Sequence, residues 1–123
     1  VTCRLQHFEV ISDRKIVLFM LSQLIGNAVK YADGSRGEIA VSTGQEGDKI
    51  YLGIYNNGDS VPPEDAPFIF DKGFTGSNPN RQKATGMGLY LVRKYAEKLC
   101  VEVRLDTGIP YDCGFGIVLI FTL

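Results

Sequence analysis

Cysteine is scarce in this sequence, and what there is shows no pairing pattern. Cys3, Cys100 and Cys113 are odd in number and widely spaced, so disulfides are not expected and there is no close Cys-x-x-Cys pair for zinc or redox chemistry. They read as reduced thiols of a cytosolic protein. Long hydrophobic runs are also lacking: the uncharged segment Ile16–Val29 contains Ser22, Gln23 and Asn27 and falls short of the roughly 20 apolar residues that span a bilayer. The opening Val1–Leu5 carries Arg4 and no apolar stretch, so no signal peptide is expected. Charge of one sign is missing too. Thirteen Lys and Arg against 14 Asp and Glu leave a formal charge of −1, which argues against binding nucleic acid through overall charge. No internal repeat, coiled coil or low-complexity tract interrupts the chain.

What is present fits one domain. The 123 residues are 45% hydrophobic and 22% charged, enough for one compact core. His7–Ile11 reads as a short strand, and Asp13 offers an N-cap to a helix reaching about Tyr31. Ile16, Phe19, Met20, Leu24 and Ala28, with Val17, Leu21 and Ile25 on neighbouring faces, predict a helix buried around most of its cylinder. Ile39, Val41 and Thr43 alternate as in a strand, Gln45–Asp48 turns the chain, and Ile50, Leu52 and Ile54 share a face of the next strand, which ends in Asn56-Asn57-Gly58. A long polar connection from Asp71 to Thr85 follows, and a connection of that length is usually functional. A helix from about Gly86 carries Leu89, Val92, Ala96 and Leu99 on one side. Val101, Val103 and Leu105 mark another strand, and Phe115, Ile117, Leu119 and Phe121 opposite Val118 and Ile120 mark a central one. This order predicts a two-layer α/β sandwich (α+β), a mixed sheet with helices on one face.

Three local patterns have both a plain and a chemical reading. Gln23, Asn27 and Lys30 lie on one helical face. They are either a solvated edge or a set in which the Asn27 amide oxygen suits a hard cation such as Mg2+ and Lys30 meets phosphate. Asn56-Asn57-Gly58 is either a turn or a polar edge that reads a ligand base. Thr85-Gly86-Met87-Gly88-Leu89 is either a tight turn or a helix N-terminus whose bare backbone approaches an anion. Charge is uneven in the same region. Between Phe70 and Lys98 stand six basic residues and only two acidic ones, Asp71 and Glu97.

Taken together and in this order, the patterns resemble the ATP-binding catalytic domain of bacterial sensor histidine kinases, in the superfamily shared with gyrase-type ATPases. Gln23 to Tyr31 is similar to the N box, Ile54 to Pro62 to the first glycine box, Phe68 to Thr75 to the F box, and Gly86 to Leu89 to the second glycine box. Gly114-Phe115-Gly116 resembles the short terminal glycine motif, with Ile117 in place of a small hydroxyl residue. The run from Phe70 to Val92 looks most like kinases that sense envelope stress or antimicrobial peptides. The resemblance implies a Bergerat-type fold over residues 1–123 and binding of ATP with Mg2+. It assigns the nucleotide to Gln23, Asn27, Lys30, Tyr31, Asn56, Gly58, Ser60, Val61, Phe70, Lys72, Phe74, Thr85, Gly86, Met87, Gly88 and Leu89, and the metal to Asn27.

It further implies transfer of the γ-phosphoryl group to a histidine in a neighbouring dimerisation domain. A response regulator is the expected partner of the full-length kinase, a membrane-associated homodimer with this domain in the cytoplasm. The acceptor is not expected here: His7 is the only histidine, and its surroundings alternate like a strand. The polar connection from Asp71 to Thr85 is expected to act as a lid, with Lys72, Arg81 or Lys83 meeting phosphate. An anti-sigma-type serine kinase, a degenerate nucleotide-binding module and a gyrase-like ATPase are the alternatives.

Two departures bear on the base. Asn56 stands where the family has Asp, and Ser60 where it has a second glycine. A neutral acceptor predicts ATP binding about tenfold weaker than with Asp, and an amide that can also donate predicts relaxed discrimination against guanine. Gln23 replaces a common Asn or acidic residue and keeps an amide with longer reach.

Overall fold

The computed structural model describes residues 2–4, 12–31, 36–57, 63–73, 88–106 and 114–123. Its elements in chain order are β1 (Thr2–Arg4), α1 (Arg14–Tyr31), β2 (Ile39–Glu46), β3 (Lys49–Asn56), a 3-10 turn (Ala66–Phe68), α2 (Gly88–Lys98), β4 (Glu102–Leu105) and β5 (Phe115–Thr122).

Local chemistry sets the ends of these elements. Asp13 caps α1 as expected: its Oδ1 accepts the Ile16 N–H at 3.1 Å, and its carbonyl accepts the Val17 N–H at 2.9 Å, pairing two donors that a helix start leaves bare. β2 and β3 form a hairpin that turns at Gly47, whose φ of 61° a side chain disfavours. The last turn of α2 closes with the Val101 N–H on the Ala96 carbonyl at 2.9 Å, and Cys100 takes the left-handed conformation at φ 57°. That is the closure a glycine usually serves.

The sheet has five strands in the order β1-β2-β3-β5-β4. β1 runs parallel to β2 and the other pairs are antiparallel, so the sheet is mixed as predicted. The expected strand at His7–Ile11 lies outside the described residues. The parallel strand Thr2–Arg4 was not expected. β5 is central, held by β3 on one side and β4 on the other.

Both helices pack on one face of the sheet. Met20, Leu24 and Ala28 of α1 and Val92 and Ala96 of α2 share a core with Ile50 and Ile54 of β3 and with Phe115, Ile117, Leu119 and Phe121 of β5. Burying side chains the size of Leu119 or Ile117 contributes roughly 1.5–3 kcal/mol each. The edge of the Phe19 ring meets Tyr95 at 5.3 Å between centroids and 74° between planes, which fixes α1 against α2.

The expectation that α1 is buried around most of its cylinder is wrong. Leu18, Ile25 and Val29 are 53%, 42% and 62% exposed, and Phe19 is 36% exposed. In a two-layer fold a helix rests on the sheet along one side and on its neighbour along another, and the remaining side faces water. Apolar residues all round α1 hide that asymmetry in the sequence. Among the described residues no helix is long and apolar enough to cross a membrane.

Candidate nucleotide site

The stripe on α1 is brought against the start of α2. Gln23 and Asn27 are half-buried, and the Gln23 Oε1 lies 3.3 Å from where a Cβ at Gly88 would stand. A Cβ at Gly88 would need the Gln23 amide to give by a few tenths of an ångström, so this amide reaches the start of α2. Gly88 opens α2, whose first turn has no acidic residue and whose last turn carries Lys98. The first-turn N–H groups of a helix lack intrahelical acceptors and sit at the positive end of its dipole. Amide side chains of α1 beside such an end make a setting for an anion.

Residues after β3 buttress the same end of α2. Ile69 is buried in the core, anchoring the segment that follows the 3-10 turn. Phe70 packs against that core, and the Arg93 guanidinium carbon lies 5.6 Å from the Phe70 ring centroid. Lys72 is exposed, with its Nζ 6.0 Å from the Tyr90 ring, and Lys94 stands 5.8 Å from the same ring. At these distances the cation–π contribution is about 0.5–1 kcal/mol each for exposed groups. Tyr90 and Arg93 of α2, absent from the expected site, thus lie beside Lys72 and Phe70. The only sequence signal for them is the surplus of basic residues in this stretch.

The two asparagines at the end of β3 have separate roles. Asn57 fastens the chain entering β2: its Oδ1 accepts the Glu38 N–H at 2.9 Å, its backbone N–H donates to the Glu38 carbonyl at 3.1 Å, and its Nδ2 donates to the Arg36 carbonyl. Asn56 is fully buried. Its carbonyl accepts the Gly114 N–H at 3.0 Å, and its Nδ2 donates to the Asn57 carbonyl at 2.8 Å. Among the described residues its Oδ1 has no hydrogen-bond partner, and a buried acceptor left so costs about 1–3 kcal/mol. Asn56 occupies the same strand face as Ile50, Leu52 and Ile54, the face that the helices cover.

The structure therefore brings Gln23 to Gly88 and places Phe70 and Lys72 against α2. Leu89 follows Gly88 in the first turn and packs on the core. The backbone of Lys30 and Tyr31 continues α1. Gly58, Ser60, Val61, Phe74, Thr85, Gly86 and Met87, together with His7, Arg81, Lys83 and most of the expected lid, lie outside the described residues. Gly116 serves the opposite face of the sheet, where a Cβ on it would overlap the Tyr55 ring. Cys100 is free and exposed.

The donors suit a nucleotide and Mg2+. Among the described residues no three His, Cys, Asp or Glu side chains cluster to hold a metal. A cation held by the Asn27 amide would complete its shell with phosphate oxygens and water, as Mg2+ does.

A family described as "Histidine kinase-, DNA gyrase B-, and HSP90-like ATPase" matches residues 12–123. The chain is 39% identical over 121 residues to the "Sensor protein BceS" of Bacillus subtilis (strain 168), covering 98% of this chain and 34% of that protein. It is 33% identical over 100 residues to the "Sensor histidine kinase YxdK" of the same organism, covering 80% of this chain and 31% of that protein. The chain thus spans about a third of the length of these curated relatives. Among solved structures, the "Mycobacterial sensor histidine kinase MprB" superposes with a TM-score of 0.82 at 22% identity, over 98% of this chain and 79% of that one. That likeness is one of fold.

Proposed function

The chain belongs to the family of histidine kinase-, DNA gyrase B- and HSP90-like ATPases, and from that premise we propose that it is the ATP-binding catalytic domain of a sensor histidine kinase. In this reading it binds ATP with Mg2+ and presents the γ-phosphoryl group to a histidine of a neighbouring dimerisation domain, the first step of two-component signalling. The observation that carries it is the meeting of Gln23 with Gly88, which sets the amide stripe of α1 beside the N-terminus of α2. The likeness to BceS and YxdK supports the sensor-kinase branch of the family.

Each residue then has a physical task. The first-turn N–H groups of α2 hold phosphate oxygens, and Lys30, one turn beyond Asn27, adds a point charge. Asn27 supplies an amide oxygen to Mg2+, which when bound neutralises phosphate charge as the transferred group departs. Gln23 keeps the start of α2 in register with α1. Phe70 closes one side of the pocket, and Lys72 stands within reach of its mouth. Asn56 faces the base. Gly58, Ser60, Val61, Phe74 and Tyr31 belong to the same pocket, with Thr85, Gly86 and Met87 leading into α2. Phosphoryl transfer depends mainly on positioning and charge stabilisation, and the acceptor histidine comes from the dimerisation domain. A response regulator and a membrane-associated homodimer, with this domain in the cytoplasm, complete the proposal.

Calorimetric titration with ATP and ADP, with and without Mg2+, tests it. Micromolar to submillimolar binding of ATP that weakens at least about tenfold without Mg2+, with the Mg2+ effect lost in Asn27→Ala, is the expected outcome. No binding at millimolar nucleotide would replace it with a module that keeps the fold but not the ligand.

A further inference from the structure

Lys72 stands where the chain leaves the core. Ile69 is buried, Phe70 packs on the core, and the Asp71 N–H donates to the Phe68 carbonyl at 2.9 Å. The backbone then turns at Gly73, whose φ of 77° suits a residue without a side chain. The Lys72 side chain is exposed, and its Nζ lies 6.0 Å from the centroid of the Tyr90 ring. Tyr90 is half-buried and belongs to the first turn of α2, so the ring sets a positive charge beside the helix end whose N–H groups lack intrahelical acceptors. Lys94, one turn further along the same face of α2, stands 5.8 Å from the same ring. Its like charge opposes movement of Lys72 along α2 away from the helix start. Among the described residues no carboxylate forms an ion pair with Lys72 or Lys94.

We propose that Tyr90 is a positioning residue that aims Lys72 at the outermost phosphate of a bound nucleotide. The proposal rests on the nucleotide reading above and deepens it. An aromatic face draws an ammonium through its quadrupole and leaves the charge intact, whereas a carboxylate in the same place would neutralise it. Lys72 is thereby held near the anion-binding end of α2 while still able to attract a phosphate. The first-turn N–H groups take the phosphates that enter the site, and Lys72, exposed at its rim, meets the one that extends furthest. A contact of this strength biases an exposed lysine toward the ring by about two- to fivefold. Tyr90 therefore contributes that factor to the binding of ATP and not to that of ADP, which lacks the outer phosphate.

Calorimetric titration of the 123-residue chain with ATP and ADP in the presence of Mg2+ tests the proposal through the ratio of the two affinities. Tyr90→Leu is expected to shift that ratio about two- to fivefold toward ADP. Tyr90→Phe keeps the ring face and should leave the ratio as it is. Lys72→Gln should shift it at least as far as Tyr90→Leu, and the two substitutions combined no further than Lys72→Gln alone. If Tyr90 serves packing alone, Tyr90→Leu will weaken both nucleotides equally, and that unchanged ratio would overturn the proposal. Additive shifts in the double variant would overturn it too, because Tyr90 would then act independently of Lys72. In the unsubstituted chain, the ring current of Tyr90 should move the Lys72 ε-methylene proton resonances upfield of an unstacked lysine. Finding them at the ordinary position would overturn the proposal whether or not Tyr90→Leu folds. Failure of ATP and ADP alike to bind at millimolar concentration would overturn the nucleotide reading and this proposal together.

Discussion

Tyr55 and Asn56 are neighbours on β3 that point to opposite faces of the sheet, and both are buried polar residues, at 6% and 0% exposure. Tyr55 is provided for. Its hydroxyl donates to Asp106 Oδ2 at 3.0 Å, and its ring lies over Gly53 and Gly116, where any Cβ would overlap it. Among the described residues the Asn56 side chain is provided for only on its donor side. The outer face spends two glycines and a carboxylate on settling one tyrosine, while the helix-covered face leaves an acceptor bare at the end of an apolar row. A satisfied buried group contributes to the fold. An orphaned one costs stability that a ligand can return.

Substitutions at the two faces should therefore separate stability from binding. The largest effect on stability is expected from Gly116→Ala, which forces the Tyr55 ring out of its seat and should cost about 1–3 kcal/mol, seen as a drop of several degrees in the melting temperature. Asn56→Leu should do the reverse: it removes the orphan, leaves the melting temperature unchanged or raised, and weakens ADP by at least about tenfold, or 1.4 kcal/mol. A large fall in melting temperature for Asn56→Leu would erase the contrast. Tyr55→Phe should lose about 0.5–1.5 kcal/mol of stability with its hydrogen bond and keep ADP affinity within about twofold. Cys100→Gly, remote from both residues in sequence, calibrates the assay. The left-handed φ of Cys100 costs an ordinary residue roughly 1–2 kcal/mol, and after glycine's added chain entropy a gain of about 0.5 kcal/mol is expected.

Much of the fold was legible in the sequence because its signals are local. Asp13 as the cap of α1, the hairpin at Gly47, the central position of β5 and the amphipathic face of α2 each rest on residues a few positions apart. The site was read from the sequence as motifs, and its residues stand as a proposal. The structure brings together Gln23 and Gly88 and places Phe70 and Lys72 against α2, whereas Gly58, Ser60, Val61, Phe74, Thr85, Gly86 and Met87 remain expectations. Two features were not legible. The bare side of α1 was hidden because Leu18, Ile25 and Val29 are as apolar as the residues they alternate with. The parallel pairing of Thr2–Arg4 with β2 was hidden because strand pairing over that separation leaves no periodic trace.

By itself the sequence determined where the helices and most strands form, which residues carry amides and charges, and which family the chain belongs to, since periodicity, caps and ordered motifs are written in neighbouring residues. Tertiary structure alone decided that Gln23 meets Gly88, that Gly116 seats Tyr55, and that Asn56 turns its donor to Asn57 and leaves its acceptor bare. Those outcomes depend on which groups the packed chain brings within about 3 Å of each other, and a hydrogen bond made or left unmade exists only at that range.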